Sequence, residues 1–273
     1  MPRGDLHRDR LATTRTALYL SARVAAELDA ARVARRAIVP PSELARLSID
    51  EAYDVQDAFV ARREAFGDIR SGWKLGLTSD VKQRIMGIDR PVFGRTFAAG
   101  RVSSGASASL AEFIAPRTEP EIAFGLARAL DPRSSLEDLR KAVAWVAPAL
   151  EITDSRYTPG TRTAVELIAD NTSSAGYVLG ARISIDRAPN LATLQAVILR
   201  NGVAFATASS AGVLGNPVAA LGLLARHLEE RGLRTAPGDI VLSGAITDAF
   251  SVAAGDRVEA RLAGLGTAAV DFV

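Results

Sequence analysis

"PRTEPEIAFGL", Pro116 to Leu126, decides how the rest of the chain is read. It follows a proline-bounded turn and is dense in apolar residues, as an interior β-strand is. Side chains alternate across a strand, so Pro120, Ile122, Phe124 and Leu126 share one face, and Glu119, Glu121, Ala123 and Gly125 share the other. The first is a core face. The second sets two acids beside two small residues, as expected where a strand floors a pocket and something must approach the backbone. Neighbouring carboxylates repel, and burial drives at least one to take a proton unless a cation compensates. A divalent ion is the simplest compensation. A further acid has the same setting in "WVAPALEITDSRY", where Val146, Pro148, Leu150 and Ile152 oppose Ala147, Ala149 and Glu151. Three monodentate carboxylates leave an octahedral Mg2+ or Mn2+ with open positions for water and a chelating substrate. Strands with one wet face carry the same spacing, and the pattern alone leaves both readings open.

Around this strand lies a chain of 273 residues with 48% hydrophobic and 23% charged residues, an ordered globular composition. With 33 Lys plus Arg against 31 Asp plus Glu, the charge is too balanced to indicate nucleic acid. The lack of cysteine removes disulfides, thiolate metal sites and cysteine nucleophiles, and fits a cytoplasmic location. Apolar runs are broken by charged residues well before about 18 residues, so no membrane span is expected. The Arg-rich start lacks the apolar core and cleavage site of a secretory signal, and residues 1–16 read as a flexible or helical extension.

Residues 17–70 read as a helical segment. Leu20, Val24, Leu28 and Ala31 recur at helical spacing, and a second helix has Ser48 as N-cap, Glu51 three residues on and Gly67 at its close. Residues 71–273 read as a β-rich core. Asn201-Gly202 marks a hairpin, since both central residues of a type I′ turn need positive φ, and "DRVEARLAG" alternates as a half-buried strand does. One helix interrupts, with Asn216 as cap, Pro217 at its first position, an apolar stripe of Val218, Leu221, Leu224 and Leu228, and Gly232 as its stop. Lys74, between apolar residues and glycines in "SGWKLGLTS", is either a desolvated ammonium aimed at an anion or a snorkelling structural lysine. His7 and His227 read as structural or solvated. Neither G-x-G-x-x-G, Walker A, H-E-x-x-H nor G-x-S-x-G occurs, which argues against dinucleotide folds, P-loop enzymes, zincins and α/β-hydrolases.

Several stretches together resemble the hydratase/decarboxylase branch of the fumarylacetoacetate hydrolase-like superfamily: "GWKLGLTS", "GIDRPVFGRTF", "PRTEPEIAFGL", "PALEITDSRY", "IADNTSSAGYVLG", "NGVAFATASSAGVLGNPVAAL" and "GDIVLSGAITDAFSVAAGD". The resemblance implies an α+β fold, a mixed β-roll core preceded by helices, with Glu119, Glu121 and Glu151 as ligands of Mg2+ or Mn2+. It implies Lys74 and Asp89 at acid/base and substrate-orienting positions, and Leu77, Arg156, Ser173, Ser174 and Ser243 as pocket residues. The implied substrate is a small 2-oxo acid from aromatic meta-cleavage. The implied reaction is decarboxylation of a 2-oxo-3-hexenedioate-like acid through a metal-chelated dienolate, with hydration of 2-hydroxypenta-2,4-dienoate as the alternative. Hydrolysis of a C–C bond ranks third, because neither histidine takes the place of that group's water-activating His. A homo-oligomer, and a complex with a partner hydratase or decarboxylase, are also implied. A non-enzymatic ligand-binding or assembly partner that keeps the fold is the remaining alternative, and retention of the acids and Lys74 speaks against it. "TPGTRTAVEL", Thr158 to Leu167, departs from the aromatic-rich segment expected there, so the pocket wall is expected to differ.

Overall fold

Helical spacing at the N-terminus buries one stripe, and that stripe joins two helices. In the computed structural model, which describes residues 4–160 and 162–273 and gives residues 4–17 as helical backbone alone, α1 spans Gly4–Ala34 and α2 spans Ile49–Ala65. Val24 and Leu28 of α1 pack with Val55, Phe59 and Val60 of α2, and with Phe97, Tyr157 and Ala169 from the rest of the chain, in a core separate from the main one. α2 begins with the expected capping box, Ser48 and Glu51 bonding each other's backbone N–H. α1 runs through residues 16 and 17, where no glycine or proline stands to stop a helix. Residues 1–3 and the side chain of His7 lie outside the described residues.

The remainder alternates short strands and short helices: β1 (Arg70–Gly76), α3 (Asp80–Met86), β2 (Val92–Phe97), β3 (Arg101–Ser103), β4 (Ser107–Ala108), β5 (Arg117–Leu126), α4 (Leu136–Lys141) and β6 (Val143–Thr153). There follow α5 (Ala164–Ala169), β7 (Ser174–Leu179), β8 (Ile183–Ser184), β9 (Gln195–Arg200), β10 (Val203–Ser209), α6 (Ala219–Glu230), β11 (Ile240–Leu242), β12 (Phe250–Ser251), β13 (Arg257–Leu262) and β14 (Gly266–Phe272). The β9–β10 hairpin turns at Asn201 and Gly202, both with positive φ. α6 starts later than its Asn-Pro signal suggests: Asn216 Oδ1 accepts from the Val218 N–H in a turn ahead of the helix proper.

One sheet runs β2-β1-β11-β5-β6-β7-β3, with β12 added beside β5 and β8 beside β6; the other runs β10-β9-β13-β14-β4. Both are mixed, since β1–β11, β3–β7 and β14–β4 are parallel pairs. The large sheet is a roll. Four strand spacings separate β1 from β7, about 19 Å if flat, yet the Tyr177 hydroxyl on β7 donates to Ser71 Oγ on β1 at 3.0 Å. Outside the roll, Ile122, Phe124, Leu150 and Ile152 meet Ile198, Val258 and Ala260 of the second sheet and the Leu221–Leu224–Leu228 stripe of α6 in the main core. Inside lies a small cluster of Ala123, Ala149, Tyr177, Leu179, Ile240 and Leu242. Gly125 serves this packing: a Cβ there would lie 1.9 Å from Cε2 of Trp145, so its place is taken by the indole.

A candidate metal centre inside the roll

The acids enter the roll because strand parity puts them on its concave face. β5 and β6 pair with Glu119 directly opposite Glu151 and Glu121 opposite Ala149, so the three carboxylates adjoin. One oxygen from each lies within 4.8 Å of the others. Glu121 and Glu151 are wholly buried and Glu119 is 9% exposed, which excludes a wet strand face. Lys74 reaches the same face from two strands away: it pairs with Leu242 of β11, which pairs with Ala123 of β5. Its Nζ lies 3.2 Å from Glu151 Oε2 and donates to the Thr172 carbonyl at 3.0 Å.

Charge and hydrogen bonding are both incomplete. Three carboxylates face one ammonium, which leaves an excess of two negative charges if all are ionised. Glu121 Oε2 accepts from the Gly244 N–H at 2.8 Å and Glu151 Oε2 has the Lys74 ammonium at 3.2 Å, but Glu121 Oε1 and Glu151 Oε1 are buried without a hydrogen-bond donor among the described residues. Buried anionic oxygens in this condition are costly. Burial, with the neighbouring carboxylates, pushes the Glu121 carboxyl well above the ordinary range. Burial also raises Glu151, against the pull of Lys74. Burial works against the Lys74 charge, but Glu151, Glu119 and Glu121 outweigh it and raise its pKa. An all-oxygen, anionic donor set with unpartnered lone pairs suits a hard divalent cation.

The remaining expected site residues divide. Ser243 is buried beside the acids, its Oγ accepting from the Ile122 N–H one residue from Glu121. Leu77 leaves β1 three residues after Lys74 with a left-handed φ of 55°. Ser173 ends a turn whose Thr172 carbonyl bonds Lys74, and Ser174 opens β7. Arg156 is not brought to the acids: its guanidinium pairs with Asp170 at 2.6 Å and donates to the carbonyls of Asp154, Ser174 and Asp170. Asp89 stands apart as well, its side chain 89% exposed and paired with Arg90. It lines a cavity of about 1260 Å³ between α2, the α3–β2 loop and α6, with Tyr53, His227 and Arg231. That cavity does not include the carboxylates; a second, of about 320 Å³, includes Arg156 and Ser174. The departing segment runs into α5, which holds its residues 164–167 and which Thr163 and Glu166 start with a second capping box; residue 161 lies outside the described residues.

Sequence reading missed Asn171, Thr172 and Gly94. Thr172 acts through its backbone carbonyl, which no residue identity encodes. Asn171 is the one legible signal, since asparagine tolerates left-handed φ better than other non-glycine residues.

Residues 92–273 match the family model described as fumarylacetoacetate (FAA) hydrolase C-terminal. The chain belongs to the fumarylacetoacetate hydrolase family. Within it, the chain is 34% identical over 228 residues to 4-oxalocrotonate decarboxylase of Pseudomonas putida, covering 83% of this chain and 86% of the relative. It is also 34% identical over 227 residues to 2-keto-4-pentenoate hydratase of Paraburkholderia xenovorans (strain LB400), covering 83% and 84%. A solved structure of 4-oxalocrotonate decarboxylase from Pseudomonas putida G7, complexed with magnesium and adipate, matches with a TM-score of 0.90 at 31% identity, over 93% of this chain and 98% of that one. The family's fold is therefore present from the N-terminal helices to the last strand.

Proposed function

We propose that the protein is a metal-dependent carbon–carbon lyase that decarboxylates a 2-oxo-3-hexenedioate-like acid to a 2-hydroxydienoate. The observation that carries this is the buried, donor-poor cluster of Glu119, Glu121 and Glu151 with Lys74 against it. These glutamates would hold Mg2+ or Mn2+. When bound, such an ion supplies positive charge that offsets the acids and stabilises negative charge developing on an oxo-acid oxygen. The reaction otherwise needs an electron sink and a proton. As the bond to the distal carboxylate breaks and CO2 leaves, its electron pair moves through the conjugated double bond onto the 2-oxo oxygen, which takes up a proton. Lys74 Nζ is a proton-bearing group fixed at the acids, and its ammonium favours negative charge on the 2-oxo oxygen in a site walled by Leu242, Ala123 and Ala149.

A six-carbon dicarboxylate in the similar decarboxylase supports the dioate over a monocarboxylate. Hydration of 2-hydroxypenta-2,4-dienoate is the second reading, favoured by the equal identity to the hydratase. Ser243, Leu77, Ser173 and Ser174 are proposed to shape the substrate's surroundings. An orienting role for Asp89 requires its loop to approach the acids, and Arg156 is better read as a support. We also assign a cytoplasmic homo-oligomer, with a hydratase or decarboxylase of the same family as an associate: β10 is an edge strand without charged residues that exposes Val203 and Phe205. Among the described residues no helix is long and apolar enough to cross a membrane. The test is a side-by-side assay with Mg2+. Release of CO2 from 2-oxo-3-hexenedioate is expected; hydration of the dienol with that dioate untouched would install the second reading, and turnover of neither would overturn both.

A further inference from the structure

We propose that Asn171 is a positioning residue for Lys74: its side-chain amide clamps a left-handed turn to β2 so that the Thr172 carbonyl holds the Lys74 ammonium against Glu151. The inference rests on the role of Lys74 given above and extends it to a residue that touches neither the acids nor the reacting atoms.

Asn171, Thr172 and Ser173 are consecutive, none is glycine, and their φ values are 48°, 50° and 58°. A Cβ makes this region unfavourable, and left-handed residues ordinarily occur singly. Something must hold the turn. Asn171 Oδ1 accepts from the Arg95 N–H at 2.8 Å and Asn171 Nδ2 donates to the Arg95 carbonyl at 2.9 Å. β2 ends the strand path of its sheet, so this amide supplies the pair of bonds that a further strand would give. Gly94 leaves room for it, because a Cβ there would lie 2.4 Å from Thr172 Oγ1 and 2.7 Å from the Asn171 carbonyl. On the turn's other flank, Asp170 is fixed by Arg156.

Every one of these contacts converges on one carbonyl. Lys74 is 2% exposed, and the acceptor of its hydrogen bond is Thr172 O, opposite Glu151 Oε2. An ammonium on a four-bond stem has no directional preference of its own. Joining α5 to β7 does not by itself require three strained residues. Strain of this kind persists where the surroundings over-determine it, and here the surroundings aim a carbonyl into the site.

The chain has three lysines, Lys74, Lys82 and Lys141, which makes a direct readout possible. Reductive methylation with formaldehyde and cyanoborohydride, followed by mass spectrometry, reports Lys74 release, with the more exposed Lys82 and Lys141 as references in the same sample. Asn171→Gly removes both side-chain bonds while tolerating the left-handed φ. It is expected to raise Lys74 labelling about 10-fold relative to Lys82, and to lower kcat by roughly 10- to 100-fold with KM and calorimetric Mg2+ affinity within about twofold. Combined with Lys74→Met, it should cause no further loss of kcat. Protection of Lys74 as in the parent protein, or losses that multiply in the double variant, would overturn the proposal. If Asn171→Gly fails to fold by circular dichroism, Asn171→Asp, which loses only the donor, carries the same comparisons. If the parent protein turns over neither acid, the functional reading fails, and the labelling alone decides the role of Asn171.

Discussion

Two groups of buried charge lie close together in the chain and are finished differently. Around Arg156 and Asp170 the accounts of donor and acceptor balance: Arg156 donates to Asp170 and to three carbonyls, and Asp170 Oδ2 also accepts from Ser155 Oγ and the Arg156 N–H. Around Glu119, Glu121 and Glu151 they do not, for one ammonium and one backbone N–H serve three carboxylates. A closed cluster belongs to the fold. An open one offers acceptor atoms to a metal ion.

Breaking the closed cluster should therefore harm stability first. Arg156→Ala leaves the Asp170 carboxylate buried without its counter-charge and is expected to cost roughly 3–5 kcal/mol in urea denaturation. In the open cluster the same kind of change should have the opposite sign. Glu121 has a folded pKa raised by burial and by Glu151 and Glu119, so the metal-free folded state binds more protons than the unfolded chain. That contribution is intact at low pH and is lost as pH rises above the ordinary carboxyl value of 4.5. Glu121→Gln should stabilise the metal-free protein by about 1–3 kcal/mol at neutral pH and flatten this decline. Chemical denaturation at several pH values with chelator present checks it, and a destabilisation like that of Arg156→Ala would erase the distinction.

His227 sharpens the comparison, because it too has a buried atom, Nε2, without a partner among the described residues. It stacks on Phe93 and lies against Tyr53, and burial, with Arg231, Arg95 and Arg90 outweighing Asp57, lowers its pKa from 6.5 to about 4. It stays neutral, so it makes no demand for a cation. The unfolded chain binds its proton more readily between those two values, and stability should fall as pH drops through that window, by up to about 3 kcal/mol. His227→Phe should remove this pH dependence; an unchanged profile would show that another group sets it.

Much of this was legible in residue order. Alternation in Pro116–Leu126 and Trp145–Tyr157 assigned the three glutamates to one side of their strands, and the structure keeps that parity. What alternation lacks is depth: whether the face is wet depends on β1 curling back toward β7, which the Ser71–Tyr177 contact shows and no local pattern states. Lys74 arrives across β11 from 45 residues before Glu119, a partnership written in topology. Arg156 misled because a motif match cannot tell a guanidinium aimed at a ligand from one spent on Asp170. The Asn171 turn was legible only at its asparagine, because its function lies in a backbone conformation that Thr172 and Ser173 do not favour.

The central claim, that the open cluster is a divalent-cation site, is tested most directly by calorimetric titration of Mg2+ into chelator-stripped protein and into the Glu119→Gln, Glu121→Gln double variant. The account predicts saturable binding of a single ion per chain in the parent protein and its loss in a variant that remains folded. Equal affinity in both, or no binding by the parent protein, would contradict it.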